Sequence, residues 1–230
     1  MDSTLLKGLH ILEVLVDSAH PRGVSELAAD LGLARSNVHR VLKTLEAAGY
    51  VRHAPGASTY VPTLKVWEMG VRVHARLDIA SEAGPAITEL ARLTHETVHL
   101  SVLVGEEVVY VAKRDSPEPV RAYSSLGGRA PAHCVATGKV LLAYRDAPPP
   151  GAEDGTLSGF TPRTLTTRAD LQAALADVRA RGYAVNWGEW RDRVRGVAAP
   201  IRDARGQVVA AIGISGPAER LTRARIAEVT

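Results

Sequence analysis

The chain has 230 residues, 46% of them hydrophobic and 23% charged, a profile that suits a globular protein with room for two modest domains. Its longest apolar runs are strand-length and broken by Gly or charge, which argues against a membrane-spanning helix, and the opening MDSTLLKGLH lacks the basic-then-apolar layout of a secretory signal. A single cysteine, Cys134, excludes an internal disulfide framework and suits a reducing cytoplasm, and a formal charge of +3 is too small to mark a nucleic-acid binder by itself.

Leu5, Leu9, Leu12 and Val16 recur at helical spacing and predict a first helix that stops before Pro21. Ser25 is the expected cap of a second helix over 26–31, with Gly32 ending it in a left-handed conformation. A third helix follows after only Leu33 and Ala34, with Val38, Val41, Leu42 and Leu45 as its inward stripe and Gly49 closing it. Two short β-prone runs around Pro55-Gly56 then read as a hairpin of undetermined register. Residues 63–80 are helical in pattern (Leu64, Trp67, Val71) and are expected to link two domains, 1–62 and 81–230.

The second half alternates element types. A helix over 81–94 leads into a strand at 98–104, a Gly105-Glu106 turn and a strand at 108–114. Residues 138–144 are helical in pattern, Pro148-Pro149-Pro150-Gly151 forces a loop, and 170–181 carries the helical stripe Leu171, Leu175, Val178. Strands at 197–203 and 207–215 flank a turn at Ala204-Arg205-Gly206. The helical pattern of Leu221, Arg225 and Glu228 reaches Thr230 without a stop signal. The expected class is α+β, with a mostly antiparallel sheet and packed helices in the second domain.

Two short helices joined by a glycine-containing turn and followed by a hairpin have the layout of a winged helix-turn-helix. In that geometry the third helix buries one stripe and offers the other to the DNA major groove. Arg35, Ser36, Asn37, His39, Arg40 and Lys43 fall on or near the outward side, and 33–45 holds three cationic residues and no acid. Arg pairs with guanine and Asn with adenine, whereas Ser36 and Lys43 suit phosphate oxygens. Arg52 in the hairpin and Arg22 ahead of the second helix complete the candidate contacts. The plain alternative is a structural helical hairpin with a solvated cationic face.

At this point the chain resembles the IclR family of bacterial regulators. The resemblance rests on ELAADLGLARSNVHRVLKTLEAAGYV (26–51), THETVHLSVL (94–103) and VRAYSSLGGRAPAHCVATGKVLLAY (120–144). GYAVNWGEW (182–190) and VAAPIRDARGQVVAAIGISGP (197–217) follow in the right order. It implies a winged helix-turn-helix, a linker helix and a GAF-like effector domain, without enzymatic activity or a cofactor. The partners it implies are palindromic double-stranded DNA, a small organic acid or aromatic effector, and a second copy, as homodimers or pairs of dimers. By the same resemblance the backbone around Ala136 and Thr137 faces the effector at a helix N-terminus, where free amides favour anions. Cys134 belongs to that run. Gly213 and Ser215 point the same way, Asn186 and Gly196 close the site, and Ala122 and Ala130 form an apolar wall. Asn37 stands where the family often has Thr, Asn186 where several members have an acid, and Gly196 where some have Cys. The expected ligand is therefore neutral or monoanionic and bulkier or partly aromatic, with Gly196 enlarging the space and Trp187 and Trp190 nearby. A domain that only dimerises remains the alternative for these small residues.

Other patterns compete. HETVH (95–99) matches the helical zinc-protease signature, but its Thr and Val and the following LSVLV favour a strand, where the two histidines are not one helical turn apart. Gly138-Lys139 lacks the Ser/Thr of a phosphate loop, and 213–216 lacks the spacing of a nucleophile elbow. Cys134 beside His133 reads as a small buried hydrophobe rather than a nucleophile.

Overall fold

The structure is a computed structural model and describes residues 3–74, 78–146 and 156–230. Residues 1–76 and 77–230 form two compact units.

The first unit begins with α1 (Ser3–Asp17), α2 (Val24–Asp30) and α3 (Arg35–Ala47). Its core gathers Ile11 and Leu15 of α1, Leu27 and Ala28 of α2, and Val38, Val41 and Leu42 of α3, with Val51 and Tyr60 from the hairpin. Leu45 of the expected α3 stripe is only partly buried. Between α2 and α3 the chain turns at Gly32 (φ 63°), a left-handed conformation that glycine adopts without a Cβ penalty. The second helix starts two residues earlier than Ser25 capping requires. Gly23 is its N-cap, and the Glu26 carboxylate accepts the Gly23 N–H at 2.8 Å. Of the expected stripe, Leu5, Leu9 and Val16 lie on the opposite side of α1 from Ile11 and Leu15 and are exposed, Leu5 by 63%, whereas Leu12 is partly buried against the core.

The hairpin pairs β1 (Val51–His53) with β2 (Tyr60–Pro62), Arg52 opposite Val61. Arg22 adds a third edge. Its N–H donates to Tyr60 O at 3.1 Å, and the Tyr60 N–H donates back at 2.8 Å. The helix α4 (Leu64–His74) follows with no buried residue; Leu64 is 73% and Trp67 64% exposed. The expected linker pattern continues across 75–77, which lie outside the described residues.

The second unit is a six-stranded antiparallel sheet in the order β5-β4-β3-β8-β7-β6. Its strands are β3 (Thr97–Val104), β4 (Glu107–Arg114), β5 (Arg129–Pro131), β6 (Ala184–Asn186), β7 (Val194–Arg202) and β8 (Val208–Pro217). The expected helix over 81–94 is two, α5 (Asp78–Glu82) and α6 (Gly84–Thr94), with Pro85 in the first turn of α6. Period-two alternation sends Val98, Leu100, Val111, Ala210 and Ile214 to one core with Ile87 and Ala91 of α6. Val108, Tyr110, Ala198 and Ala211 go to the other core with α7 (Ala136–Ala143) and α8 (Arg168–Arg181). The predicted stripe Leu171, Leu175, Val178 is buried there. α9 (Arg223–Glu228) completes the unit. The Pro148–Gly151 loop expectation falls outside the described residues.

Candidate nucleic-acid interface and ligand cavity

On α3 the burial of Val38, Val41 and Leu42 fixes which side faces out. Arg35, Ser36, His39, Arg40 and Lys43 are exposed and Asn37 half-buried. Among the described residues, the guanidinium groups of Arg35 and Arg40 make no ion pair. Lys43 donates to the Glu46 carboxylate at 2.8 Å. Arg52 is exposed on β1, and its Nη1 folds back to His53 O at 3.2 Å. Arg22 departs from the expectation. Its guanidinium donates to Asp30, and to Ser18 Oγ at 3.1 Å, and lies 3.4 Å from Glu26. That ties the loop before α2 to the helix behind it, so Arg22 acts as an internal brace rather than an outward contact.

In the second unit, residues far apart in sequence meet around a partly open cavity of about 50 Å³. Seven of the expected residues line it: Ala122, Ala136, Thr137, Asn186, Gly196, Gly213 and Ser215. Ala130 and Cys134 do not. Ala130 is packed in the core with Val108 and Val140, and Cys134 is fully buried in the 3-10 turn Ala132–Cys134 that precedes α7. Burial, and next the Glu189 carboxylate, push the Cys134 thiol up to about 12, against any thiolate role. Gly196 gives the cavity no spare room. A Cβ there would lie 2.8 Å from Ile214 O, so glycine is required by the close pairing of β7 with β8. Gly213 has a related task, since a Cβ would meet Val197 O at 2.7 Å and the Thr137 methyl at 3.1 Å; its absence lets α7 sit close on β8.

The polar lining that the sequence reading missed comes from β3, β4 and the loop after β4: His99, Tyr110 and Ser124. His99 Nε2 lies 2.6 Å from Ser124 Oγ, and its Nδ1 lies 3.3 Å from Ser215 Oγ. The ring packs against Tyr110 with centroids 4.7 Å apart. Burial, reinforced by the Lys113 ammonium, lowers the His99 pKa to about 4, so the imidazole is neutral at physiological pH and donates one bond while accepting another. Burial likewise raises the Tyr110 phenol to about 12, keeping it protonated. Alternation along β3 was the available signal, because Thr97, His99 and Ser101 share the face opposite Val98 and Leu100.

Asn186 shapes the wall. Its Oδ1 accepts the N–H groups of Gly188 and Glu189, each at 2.9 Å, and this turn carries Trp190 and Arg191 to the cavity. With the oxygen so engaged, the carboxamide NH₂ is the polar group of the buried Asn186 left for a further contact. Behind it, Lys139 of α7 donates to both Glu189 oxygens and to Val185 O, all at 2.7 Å. Trp187 turns away and packs against the guanidinium groups of Arg195 and Arg223.

The HETVH segment is not a helix. His95 caps α6 in a left-handed conformation, Glu96 pairs with Arg220 through two 2.6 Å bonds, and His99 lies within β3.

Comparison with known proteins decides the family. Residues 4–55 match the IclR helix-turn-helix domain, and residues 71–230 match the domain described as bacterial transcriptional regulator IclR C-terminal. The chain belongs to the IclR family of transcriptional regulators. Among relatives, it is 35% identical to the HTH-type transcriptional regulator XynR of Escherichia coli, over 96% of this chain and 88% of that protein. It is 36% identical to KdgR of the same organism, over 98% of this chain and 86% of that protein. The crystal structure of Thermotoga maritima IclR superposes with a TM-score of 0.75 at 31% identity, covering 99% of this chain and 93% of that one. As an IclR-family member the protein is a transcription regulator, with a DNA-binding helix-turn-helix and a C-terminal ligand-binding domain. The α+β class expected from sequence holds. Among the described residues, no helix is long and apolar enough to cross a membrane.

Proposed function

We propose that this regulator binds palindromic operator DNA as a cytoplasmic homodimer, and that a small metabolite in the C-terminal cavity changes its DNA affinity. The observation that carries the DNA half is the exposure of Arg35, Ser36, His39, Arg40 and Lys43 over the buried Val38, Val41, Leu42 stripe. Arg35, Arg40 and Asn37 are assigned to base edges, and Ser36, Lys43 and Arg52 to phosphates.

The homodimer is supported by unburied apolar surface. Leu5, Leu9, Leu12 and Met69 line a groove of about 500 Å³, and Leu64, Trp67 and Val71 form an exposed stripe on α4. Contiguous apolar surface of this kind marks an interaction site.

For the effector, the cavity offers the amides at the start of α7, the Asn186 NH₂, the neutral His99–Ser124–Ser215 group and the Arg191 side chain, and among the described residues no carboxylate lines it. We therefore assign a small ligand that presents an acceptor oxygen, neutral or monoanionic. The cavity of about 50 Å³ seats only a few non-hydrogen atoms, so a larger ligand extends through its open side or shifts the Trp190 turn.

The test has two parts. Selection from a pool of random duplexes is expected to enrich an inverted repeat with half-sites one or more helical turns of ~34 Å apart. A thermal-shift screen of small organic acids and aromatic metabolites, followed by binding to the enriched duplex, is expected to yield a compound that alters affinity. Enrichment of no symmetric site sinks the operator reading. A selected operator whose affinity no compound changes leaves the second unit as a dimerisation domain.

A further inference from the structure

The wing side of α3 holds a group that the assignment of DNA contacts did not use. Glu46 follows Lys43 by three residues and is displaced around the helix toward the hairpin. Its Oε2 accepts from Lys43 Nζ at 2.8 Å, and its Oε1 lies 3.8 Å from His53 Nε2 on β1. His53 is itself stacked on Tyr60, with ring centroids 4.2 Å apart. The carboxylate thus sits between a cation of the recognition helix and the imidazole of the wing, at the edge of the surface assigned to the phosphate backbone. The hydrogen bond raises the Lys43 pKa and lowers that of Glu46, so the pair is held ionised. Arg35 and Arg40, one to two turns earlier, have no such carboxylate partner among the described residues.

We infer that Glu46 is an electrostatic latch that neutralises Lys43 and restrains indiscriminate phosphate binding by the recognition helix and wing. The inference rests on the groove-facing reading of α3. A cation that neutralises a DNA phosphate releases condensed counterions, and each such contact steepens the salt dependence of binding. While Glu46 holds Lys43, the pair brings no net charge to the phosphate that Lys43 is assigned to contact, so that contact adds no net counterion release. Deleting the carboxylate's charge frees one cation on a surface that already faces phosphates. The carboxylate therefore lowers affinity for any duplex, while Arg35 and Arg40 keep their full charge for sites where a base edge rewards them.

Binding of the full chain to a mixed-sequence duplex of about 30 base pairs, followed by fluorescence anisotropy between about 50 and 200 mM salt, tests this. Wild type, Glu46→Gln, and the double variant Lys43→Gln with Glu46→Gln are compared, with circular dichroism on each. Glu46→Gln is expected to bind more tightly at low salt, with a log–log salt slope steeper by about 0.9, which amounts to a further three- to fourfold change across that range. The double variant is expected to return to the wild-type slope. A Glu46→Gln slope equal to or shallower than wild type overturns the latch, and so does a double variant that keeps the steeper slope. Wild type without salt-dependent duplex binding removes the groove-facing reading of α3 itself. Wild-type binding with an unchanged Glu46→Gln removes only the latch.

Discussion

In residues 1–76 the polar groups assigned to recognition stand on the outside of a small packed core, whereas in residues 77–230 they line the inside of a larger one. Arg35, Arg40 and Lys43 are exposed because Val38, Val41 and Leu42, on the same helix, are not. Thirteen consecutive residues settle that geometry. His99, Asn186 and Ser215 are brought together by the pairing of β3 with β8 and of β8 with β7, across 116 residues in the case of Ser215 and His99. An outward recognition surface tolerates loss of a side chain without loss of the fold. An inward one ties ligand binding to stability, because its polar groups are also the internal bonds of the sheet.

That difference is open to direct test, and the largest effect is expected inside the second unit. Glu189→Ala strands the Lys139 ammonium, whose side chain is 6% exposed, beside Val185. Breaking a buried pair from one side costs about 3–5 kcal/mol; urea unfolding measures it, and an unchanged stability contradicts the pairing. On the outward surface, Arg40→Ala is expected to lose about 1–3 kcal/mol of operator binding, about 5- to 150-fold, with the same unfolding midpoint. A variant that binds like wild type removes Arg40 from the interface.

The third effect depends on pH. His99 has a folded pKa of about 4 against an ordinary 6.5. The unfolded chain therefore binds the extra proton first as pH falls. The stability due to neutral His99 is present above 6.5 and is lost on acidification toward 4. Between pH 7.5 and 5 the loss is about 2 kcal/mol, and His99→Gln is expected to flatten that part of the profile. Equal pH dependence in the two proteins rules the effect out. The smallest change is predicted for Arg22→Gln. Its brace to Asp30 and Ser18 implies a lower melting temperature, while the salt slope of DNA binding stays at the wild-type value. A slope shallower by about 0.9 instead returns Arg22 to the phosphate contacts.

The two units were unequally legible. Helix periodicity located α3 and its outward cations, and the stripe Leu171, Leu175, Val178 of α8 went where the pattern put it. The same reasoning picked Leu5, Leu9, Leu12 and Val16 as the mark of α1, yet the core is built on Ile11 and Leu15, with only Leu12 of the four packed against it. That helix is apolar on two sides, and spacing alone does not say which side is covered. Arg22 looked like any other cation near the motif. Only the fold puts Asp30 within reach, because α2 runs back past the loop. In the cavity, the small residues came from resemblance, while the sequence reading did not assign His99, Tyr110 or Ser124 to it. A histidine in an alternating strand carries no sign of what will stand opposite it.

By itself the sequence determined element types, the helix-turn-helix, and the family to which 26–51 and the later segments point. These are local properties: apolar periodicity, glycine at the left-handed turn, and residue order within a motif. Tertiary structure alone decided that Ala130 and Cys134 are core and that Gly196 serves strand pairing. It also decided that Asn186 spends its oxygen on the 188–189 amides, and that a neutral histidine stands between two serines. Those outcomes depend on strand register and on how closely α7 approaches β8, which are set by packing among segments that the chain order keeps far apart.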